Sequence, residues 1–339
     1  MTNHHGTLAK PSGWRYTSAD LTMAGGKPFW AIHATDPASG TTGTWIAGAT
    51  FSGGALEVRF NAWIPDALQA LTAGRDATLW GVTAQNLLVT NTVMHGLPGW
   101  SVLPPAPELT DSPWFFHELR FIGADGIAEP SEVVDCLLWT DAELLIGTFS
   151  RRIYSWRDDA ARLEEDRHAG LLAGGMNDLV ETEHSVFALG YGGTLLRRDH
   201  NVRHWQEVDV PWSSPDAQFV NLIAGTVAPG GTLHVVVDGG WVLVVDDRGA
   251  RVTHRLDAKP LGLATFQGDL YVATMDGCFE LLGDGTSRCV QRHAGLGKII
   301  DAGAALFAID AAPDHPDAAA LHVWLRTRTA DRWTRHTVA

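Results

Sequence analysis

The sequence predicts an all-β propeller of about seven four-stranded blades, and three observations predict it. The first is a phrase that keeps returning: an apolar run, a short turn of Gly, Asp, Asn or Arg, and a second apolar run. It reads LWGVTAQNLLV from Leu79, LLIGTFSRRIY from Leu144 and VFALGYGGTLL from Val186. It returns as LHVVVDGGWVL from Leu233, LYVATMDGCFE from Leu270 and, in part, LFAID from Leu306. Each phrase is a β-hairpin in sequence form, because the joining residues tolerate φ > 0. The second observation is the period: from Leu144 onward the starts lie about 40 residues apart, which is one blade. The third is the placement of the 14 tryptophans. Several open or close a short strand after a turn, as Trp14, Trp63, Trp100, Trp205 and Trp333 do. A large aromatic at one phase of successive repeats is expected to pack between blades.

Taken in order, residues 14–66 supply PFWAIHA, GTWIAGA and ALEVRF around the loop DPASGTTG. Residues 67–105 repeat the plan with Gln85-Asn86 in the turn. The period then breaks over 106–130, APELTDSPWFFHELRFIGADGIAEP, which reads either as a long inner strand with its loops or as an insertion on one face. Residues 131–168 resume with Arg151-Arg152 in the turn; DDAARLEEDRH at 158–168 is the one helix-like stretch and reads as a turn or a solvated outer strand. The best-formed repeat is 176–212, with Gly192-Gly193 between its second and third strands. Repeats follow at 219–256, with Gly239-Gly240 and WVLVV, and at 261–293, with Asp276-Gly277. Residues 298–337 close the series with KIIDAG, ALFAID, LHVWLRT and RWTRHTV. A ring must hide its open edges, so the N- and C-terminal strands are expected to share one blade. The count is seven blades, or six if one end belongs to its neighbour. Residues 1–13 are expected to be disordered and 14–339 to form a single domain.

Composition narrows the function classes. The chain has 339 residues, 45% of them hydrophobic, and no run near the ~18 apolar residues of a membrane span. The start MTNHHGTLAKPSGW has no apolar segment after a basic one, so no secretory signal is expected. Three cysteines, Cys136, Cys278 and Cys289, are an odd number without metal-ligand spacing, which fits a reducing cytoplasm. The net charge of −14 disfavours nucleic acid and anionic membrane surfaces as partners. It favours cationic partners through steering, although acidity also serves solubility alone.

Gly190 to Leu196, followed by the polar turn Arg197 to His204 and by Trp205, resembles a bacterial propeller repeat. The texture is similar to neuraminidase-type or photosystem-assembly-factor-like repeats, in which G-x-G-G-T-φ-φ precedes a polar turn and a Trp. The Asp-box of those families, S-x-D-x-G-x-T-W, is matched in RRDHNVRHW by Asp199 and Trp205, without its Ser, Gly or Thr and with one residue too many. The resemblance implies the fold and carries no activity. Gly-His…Trp-Asp signatures of WD40 blades and a kelch pattern are both missing.

Catalytic constellations are sparse. A sialidase-like arginine triad would have to draw on Arg120, Arg151 and Arg152, which nothing in the sequence brings together. A metal-dependent propeller hydrolase or lyase would place Asn177, Asp178, His184, Asn221, Asp141 and Asp301 at the central channel. The 15 histidines, scattered among strands, read as solvated or hydrogen-bonded residues, and no metal or cofactor is expected. There is no G-x-S-x-G elbow, and the glycines at 190–193 form a hairpin turn because no helix follows them.

Interface-forming residue types are better represented. Mapping the repeats places Trp114, Phe115, Phe116, Phe149, Arg151, Tyr191, Trp212 and Trp241 at or beside loops that share one face of a propeller. Trp, Tyr and Arg in such a ring anchor protein interfaces. The sequence therefore reads as a cytoplasmic, non-enzymatic protein-binding propeller, monomeric apart from its partner. The partner is expected to be basic, as for an immunity-type inhibitor or chaperone of a toxin domain. The alternatives are the metal-dependent channel enzyme and, third, a lectin-like carbohydrate binder.

Overall fold

The computed structural model describes residues 15–52, 55–103, 113–167, 174–212, 220–292, 295–310, 322–327 and 332–337. The expected disorder of 1–13 concerns residues outside these. Seven antiparallel blades are built in chain order. Blade 1 holds β1 (Arg15–Ala24), β2 (Lys27–Thr35), β3 (Thr42–Ser52) and β4 (Ala55–Ile64). Blade 2 holds β5 (Leu68–Ala73), β6 (Leu79–Thr83), β7 (Leu87–Thr90), the short β8 (Ser101–Val102) and β9 (Phe115–Glu118). The short β10 (Phe121–Ile122) precedes blade 3, which is β11 (Val134–Trp139), β12 (Leu144–Thr148), β13 (Arg152–Arg157) and β14 (Ala160–Asp166). Blade 4 is β15 (Met176–Glu181), β16 (Ser185–Gly190), β17 (Leu195–Asp199) and β18 (Gln206–Glu207). Blade 5 is β19 (Leu222–Val227), β20 (Leu233–Val237), β21 (Trp241–Asp246) and β22 (Gly249–Arg255). Blade 6 is β23 (Pro260–Phe266), β24 (Asp269–Thr274), β25 (Gly277–Leu281) and β26 (Ser287–Arg292). Blade 7 is β27 (Leu296–Asp301), β28 (Ala305–Asp310), β29 (His322–Thr327) and β30 (Thr334–Thr337).

The hairpin phrases are the second and third strands of their blades. Turn residues reach positive φ where the hairpins need it: Asn86 at 58°, Arg151 at 62°, and Gly192 and Gly193 both at 70°. At Gly240 a side chain is also barred by space, since a Cβ there would collide with the carbonyl oxygen of Leu256. Strands β6, β12 and β16 are buried along their whole length, because blades cover both of their faces. That explains their continuous apolar runs in place of an alternating pattern. Outer strands such as β22 and β26 face solvent and carry the charges.

The hydrophobic core is a set of seven layers, one per seam between blades. Trp30, Phe307 and Val323 fill the seam of blades 7 and 1, and Ile46, Leu68 and Trp114 that of blades 1 and 2. Val82, Phe121 and Tyr154 fill the next, then Leu145, Met176 and Trp205, and Leu189, Val235 and Leu243. Val236, Leu263 and Val272 follow, and Phe266, Leu306 and Trp333 complete the ring. Trp30, Trp80, Trp114, Trp205, Trp324 and Trp333 are all buried, as packing between blades requires.

Two expectations are corrected. Among the described residues the N- and C-terminal strands do not share a blade: blades 1 and 7 each pair their own four consecutive strands. Both ends carry enough apolar surface to meet face to face, with the Trp30 and Phe307 rings 5.4 Å apart, so exchanging a strand is unnecessary. The segment 106–130 is also neither an inner strand nor a free insertion over its described part. Its β9 is the fourth strand of blade 2, pairing β7 from Thr90↔Phe115 to Leu87↔Glu118. Its β10 adds an edge to blade 3, parallel to β14. The stretch at 158–168 becomes the turn Asp158-Asp159 and the outer strand β14. Among the described residues no helix is long and apolar enough to cross a membrane.

One seam also holds a buried ion network. Arg198 of β17 places Nη1 3.0 Å from Glu143 Oε1 and 2.5 Å from Glu164 Oε2, with all three side chains about 5% exposed. Arg157 reaches Glu164 at 3.1 Å, and the Arg198 guanidinium lies 5.3 Å from the Trp205 ring centroid. Burial pushes the Glu164 carboxyl up, and Arg198 opposes that shift. Removing this cation leaves two desolvated carboxylates in one seam with, among the described residues, only the partly exposed Arg157 and the more distant Arg203 beside them. Arg198→Met is therefore expected to lower the unfolding free energy by about 3–5 kcal/mol. Urea titration checks it, with the exposed Glu57→Gln on β4 expected to change little.

Candidate functional site

All seven inner strands begin on one face, which also carries the blade-to-blade connections and the turns between second and third strands. Near that start every inner strand has a β-bulge. It falls between Ser18 and Asp20, Leu68 and Ala70, Val134 and Cys136, and Met176 and Asp178. It recurs between Leu222 and Ala224, Pro260 and Gly262, and Leu296 and Ile299. A bulge re-aims the residues beside it. Here it turns side chains toward the next blade and the mouth of the central channel.

Those side chains stitch the ring. Asp20 accepts from its own neighbour Leu21 N–H and, through Oδ2, from Leu71 N–H of blade 2 at 2.7 Å. Asp178 repeats the device, accepting from Leu179 N–H and from Gly225 N–H of blade 5 at 2.9 Å. At the equivalent place in blade 3 the Cys136 thiol donates to the Met176 carbonyl of blade 4. Gln69 accepts from Val134 N–H, and Asn177 donates to Asn221 Oδ1 and to the Leu222 carbonyl. Lys298, in the bulge of blade 7, pairs with Asp20 across the seam that closes the ring.

The channel mouth is thus a charged cluster. Half of the Lys298 side chain is exposed, with Asp20 across the seam as its ion-pair partner. Enclosure pulls its ammonium down, but the carboxylates of Asp20 and Asp178 outweigh that and hold it above the ordinary lysine value. Burial pushes the Asp178 carboxyl up to about 6 against the pull of Lys298. Burial alone pushes Asp135 up to about 6, and burial raises the Cys136 thiol as well.

Of the residues expected to form a partner-binding ring, the structure brings only some to the surface. Phe149, in the turn between β12 and β13, is 50% exposed. Beside it Val133, whose carbonyl accepts from Phe149 N–H at 2.8 Å, is 51% exposed. Tyr191 is half-buried in the corresponding turn of blade 4. Trp114 and Phe115 are buried and Phe116 is packed against the same seam, because their strand completes blade 2. Arg151 is buried under its own turn. Trp212 and Trp241 pack against the seam of blades 4 and 5, Trp241 beneath the Arg255 guanidinium at 4.6 Å. Met275, at 44% exposure in the blade 6 turn, lies on the same face and was not anticipated.

The groups proposed for a channel metal separate. Asn177, Asp178 and Asn221 lie at the mouth and bond to backbone or to each other. Asp141, His184 and Asp301 lie at or beside the turns of the opposite face, where Asp141 pairs with Arg75. Among the described residues no three His, Cys, Asp or Glu side chains gather as a metal site. Asp20, Asp135 and Lys298 escaped sequence reading, since a bulge residue carries no signal until pairing is known. One clue was the recurring small or acidic residue before Leu in ADLTMA, QALTA, DCLLW and NDLVE.

Carboxylates stand on this face beside blades 3, 5 and 6: Glu129, Glu132, Asp238, Asp257 and Asp276. Two of the cations beside them are engaged. Arg152 meets Glu132 at 3.1 Å, Asp166 at 3.1 Å and Glu129 at 3.5 Å, and Lys259 lies 3.9 Å from Asp238.

Among solved structures the chain is similar to BamB from Moraxella catarrhalis, at 13% identity and a TM-score of 0.50 over 87% of this chain and 85% of that one. It is similar to the WD40 propeller domain of Doa1, at 10% identity and a TM-score of 0.55 over 87% and 89%. It is also similar to Sqt1 from Chaetomium thermophilum, solved bound to the N-terminus of ribosomal protein L10, at 11% identity and 0.55 over 91% and 84%. At these identities the likeness is one of fold, and it bears out the resemblance to propellers. No protein-family model matches the chain, and no curated protein matches it by sequence.

Asp135 and Asp178 both titrate above the ordinary aspartate value, so each adds most stability when protonated. That contribution is complete below about pH 4 and is lost as pH rises through about 6. Asp135→Asn, uncharged throughout, is expected to flatten part of the fall in melting temperature over this range, which parallel thermal melts against pH check.

Proposed function

We propose that this chain is a non-enzymatic protein-binding propeller that docks a basic partner on the face bearing the channel mouth. The observation that carries the reading is the exposed apolar side chains of this face, Val133 and Phe149 at blade 3 and Met275 at blade 6, each with carboxylates on the same face. Apolar anchors inside a charged rim are the anatomy of a protein interface, and the net charge of −14 sets the sign of the partner. The Sqt1 propeller bound to the N-terminus of ribosomal protein L10 supports the reading by showing this fold gripping a protein segment. Within it, the chain serves in the cytoplasm as a monomeric inhibitor or chaperone of its partner, in the manner of an immunity protein that sequesters a basic toxin domain.

Capture of partners by the tagged protein from its own source cells tests this. One stoichiometric basic partner, released by salt, is the expected result. The double variant Phe149→Ala/Met275→Ala is expected to weaken its binding by about tenfold or more, as loss of interface anchors does. Val252→Ser, on outer strand β22, is expected to bind normally. A partner indifferent to the double variant would sink the assignment to this face.

A further inference from the structure

The bulge position of blade 3 differs from its polar counterparts. Gln69 and Asn177 span from this position to the next blade. Asp135 has no hydrogen-bond or ion-pair partner among the described residues, although its carboxyl is half-buried. Its Oδ2 lies against Gly175, where a Cβ would collide with it, and the same missing Cβ keeps Gly175 close to the Phe149 backbone. The adjoining Gly174, at φ +132°, likewise leaves room that a Cβ would take from the Tyr191 ring. Tyr191 is fixed there by its N–H, which donates to the Gly175 carbonyl at 3.0 Å. Two glycines therefore admit one carboxylate and one aromatic ring at the seam of blades 3 and 4, with the exposed Phe149 ring on the adjoining turn.

The geometry points to a receptor for a single cationic side chain, an arginine or lysine of a basic partner, with Asp135 as its counter-charge and Phe149 and Tyr191 as aromatic flanks. A guanidinium suits such a site because it stacks on rings and forks onto a carboxylate. A cation is also the ligand that relieves a desolvated carboxylate left without a partner. The inference rests on the proposed docking of a basic partner and names the point at which that partner is gripped.

The test uses the full chain and a fluorescein-labelled oligoarginine peptide, followed by anisotropy at near-physiological salt. Asp135→Asn is expected to weaken binding by about tenfold, the loss typical of a charge-assisted hydrogen bond. Phe149→Ala is expected to weaken it about threefold. Glu57→Gln, removing an exposed carboxylate of β4, is expected to leave it unchanged. Wild-type affinity is expected to fall between about pH 7.5 and about pH 5 as the proton competes with the peptide. Asp178 beside Lys298 titrates in the same range in both proteins, and no charged neighbour shifts Asp135, including the buried Arg151 of the adjoining turn. The part of the pH response missing from Asp135→Asn is therefore its own, and it distinguishes a counter-charge from a folding defect.

Equal binding by Asp135→Asn and wild type would overturn the receptor, as would an equal loss in Glu57→Gln, which marks diffuse attraction. A natural partner that needs Phe149 and Met275 but ignores Asp135→Asn overturns the receptor and leaves the docking face standing. Oligoarginine that requires Asp135 when no partner uses this face does the reverse.

Discussion

The ring depends on its inner strands being held at one height, and in the blades whose bulge is polar, side chains there bond across the seam to hold them. A blade buries its two faces only if its neighbours are level with it, because each of the seven core layers is shared by two blades. Directional bonds from the bulges set that level. Asp20 and Asp178 each take an amide from the next blade, while Cys136 and Asn177 each donate to its backbone. Among the described residues no strand is shared by the last and first blade, and there the Lys298–Asp20 pair and the Trp30–Phe307 contact join the ring. Hydrophobic packing supplies most of the free energy, yet it is non-directional, and polar groups buried in a low dielectric supply the register.

The seams are not equivalent. Blades 5 and 6 place Ile223 and Leu261 at the bulge and rely on apolar contact. The seam of blades 3 and 4 instead concentrates charge at both depths: Arg198, Glu143 and Glu164 within it, Asp135 and Cys136 at its mouth. Desolvated ionic groups are poor sources of stability, but they tolerate few alternative arrangements. The exposed Phe149 and Val133 stand over this same seam. The proposed docking surface is thus mounted on a junction that holds buried ionic groups, which lowers the ordering cost of binding.

The acidity of the chain takes on local meaning in this setting. On the channel-mouth face Arg152 answers three carboxylates at once, Glu129, Glu132 and Asp166. In the proposed docking, complementarity of charge would select the partner and burial of Phe149, Val133 and Met275 would hold it.

Sequence by itself determined the blade plan. Strand identity follows from apolar runs and turn chemistry, both local, so the second and third strands and their hairpins at Asn86, Arg151 and Gly192-Gly193 were legible. The aromatic loop residues show where locality ends. SPWFF reads as a loop by its proline, yet Trp114 and Phe115 are core because Phe115 to Glu118 pairs with β7, about 30 residues upstream. Phe149, two residues from Arg151 in the same turn, faces solvent while Arg151 is buried. Ring closure, the bulge register and the meeting of Asp20 with Lys298 were decided only by tertiary structure. They join residues at opposite ends of the chain, and no periodicity records which side chain a bulge will turn toward its neighbour.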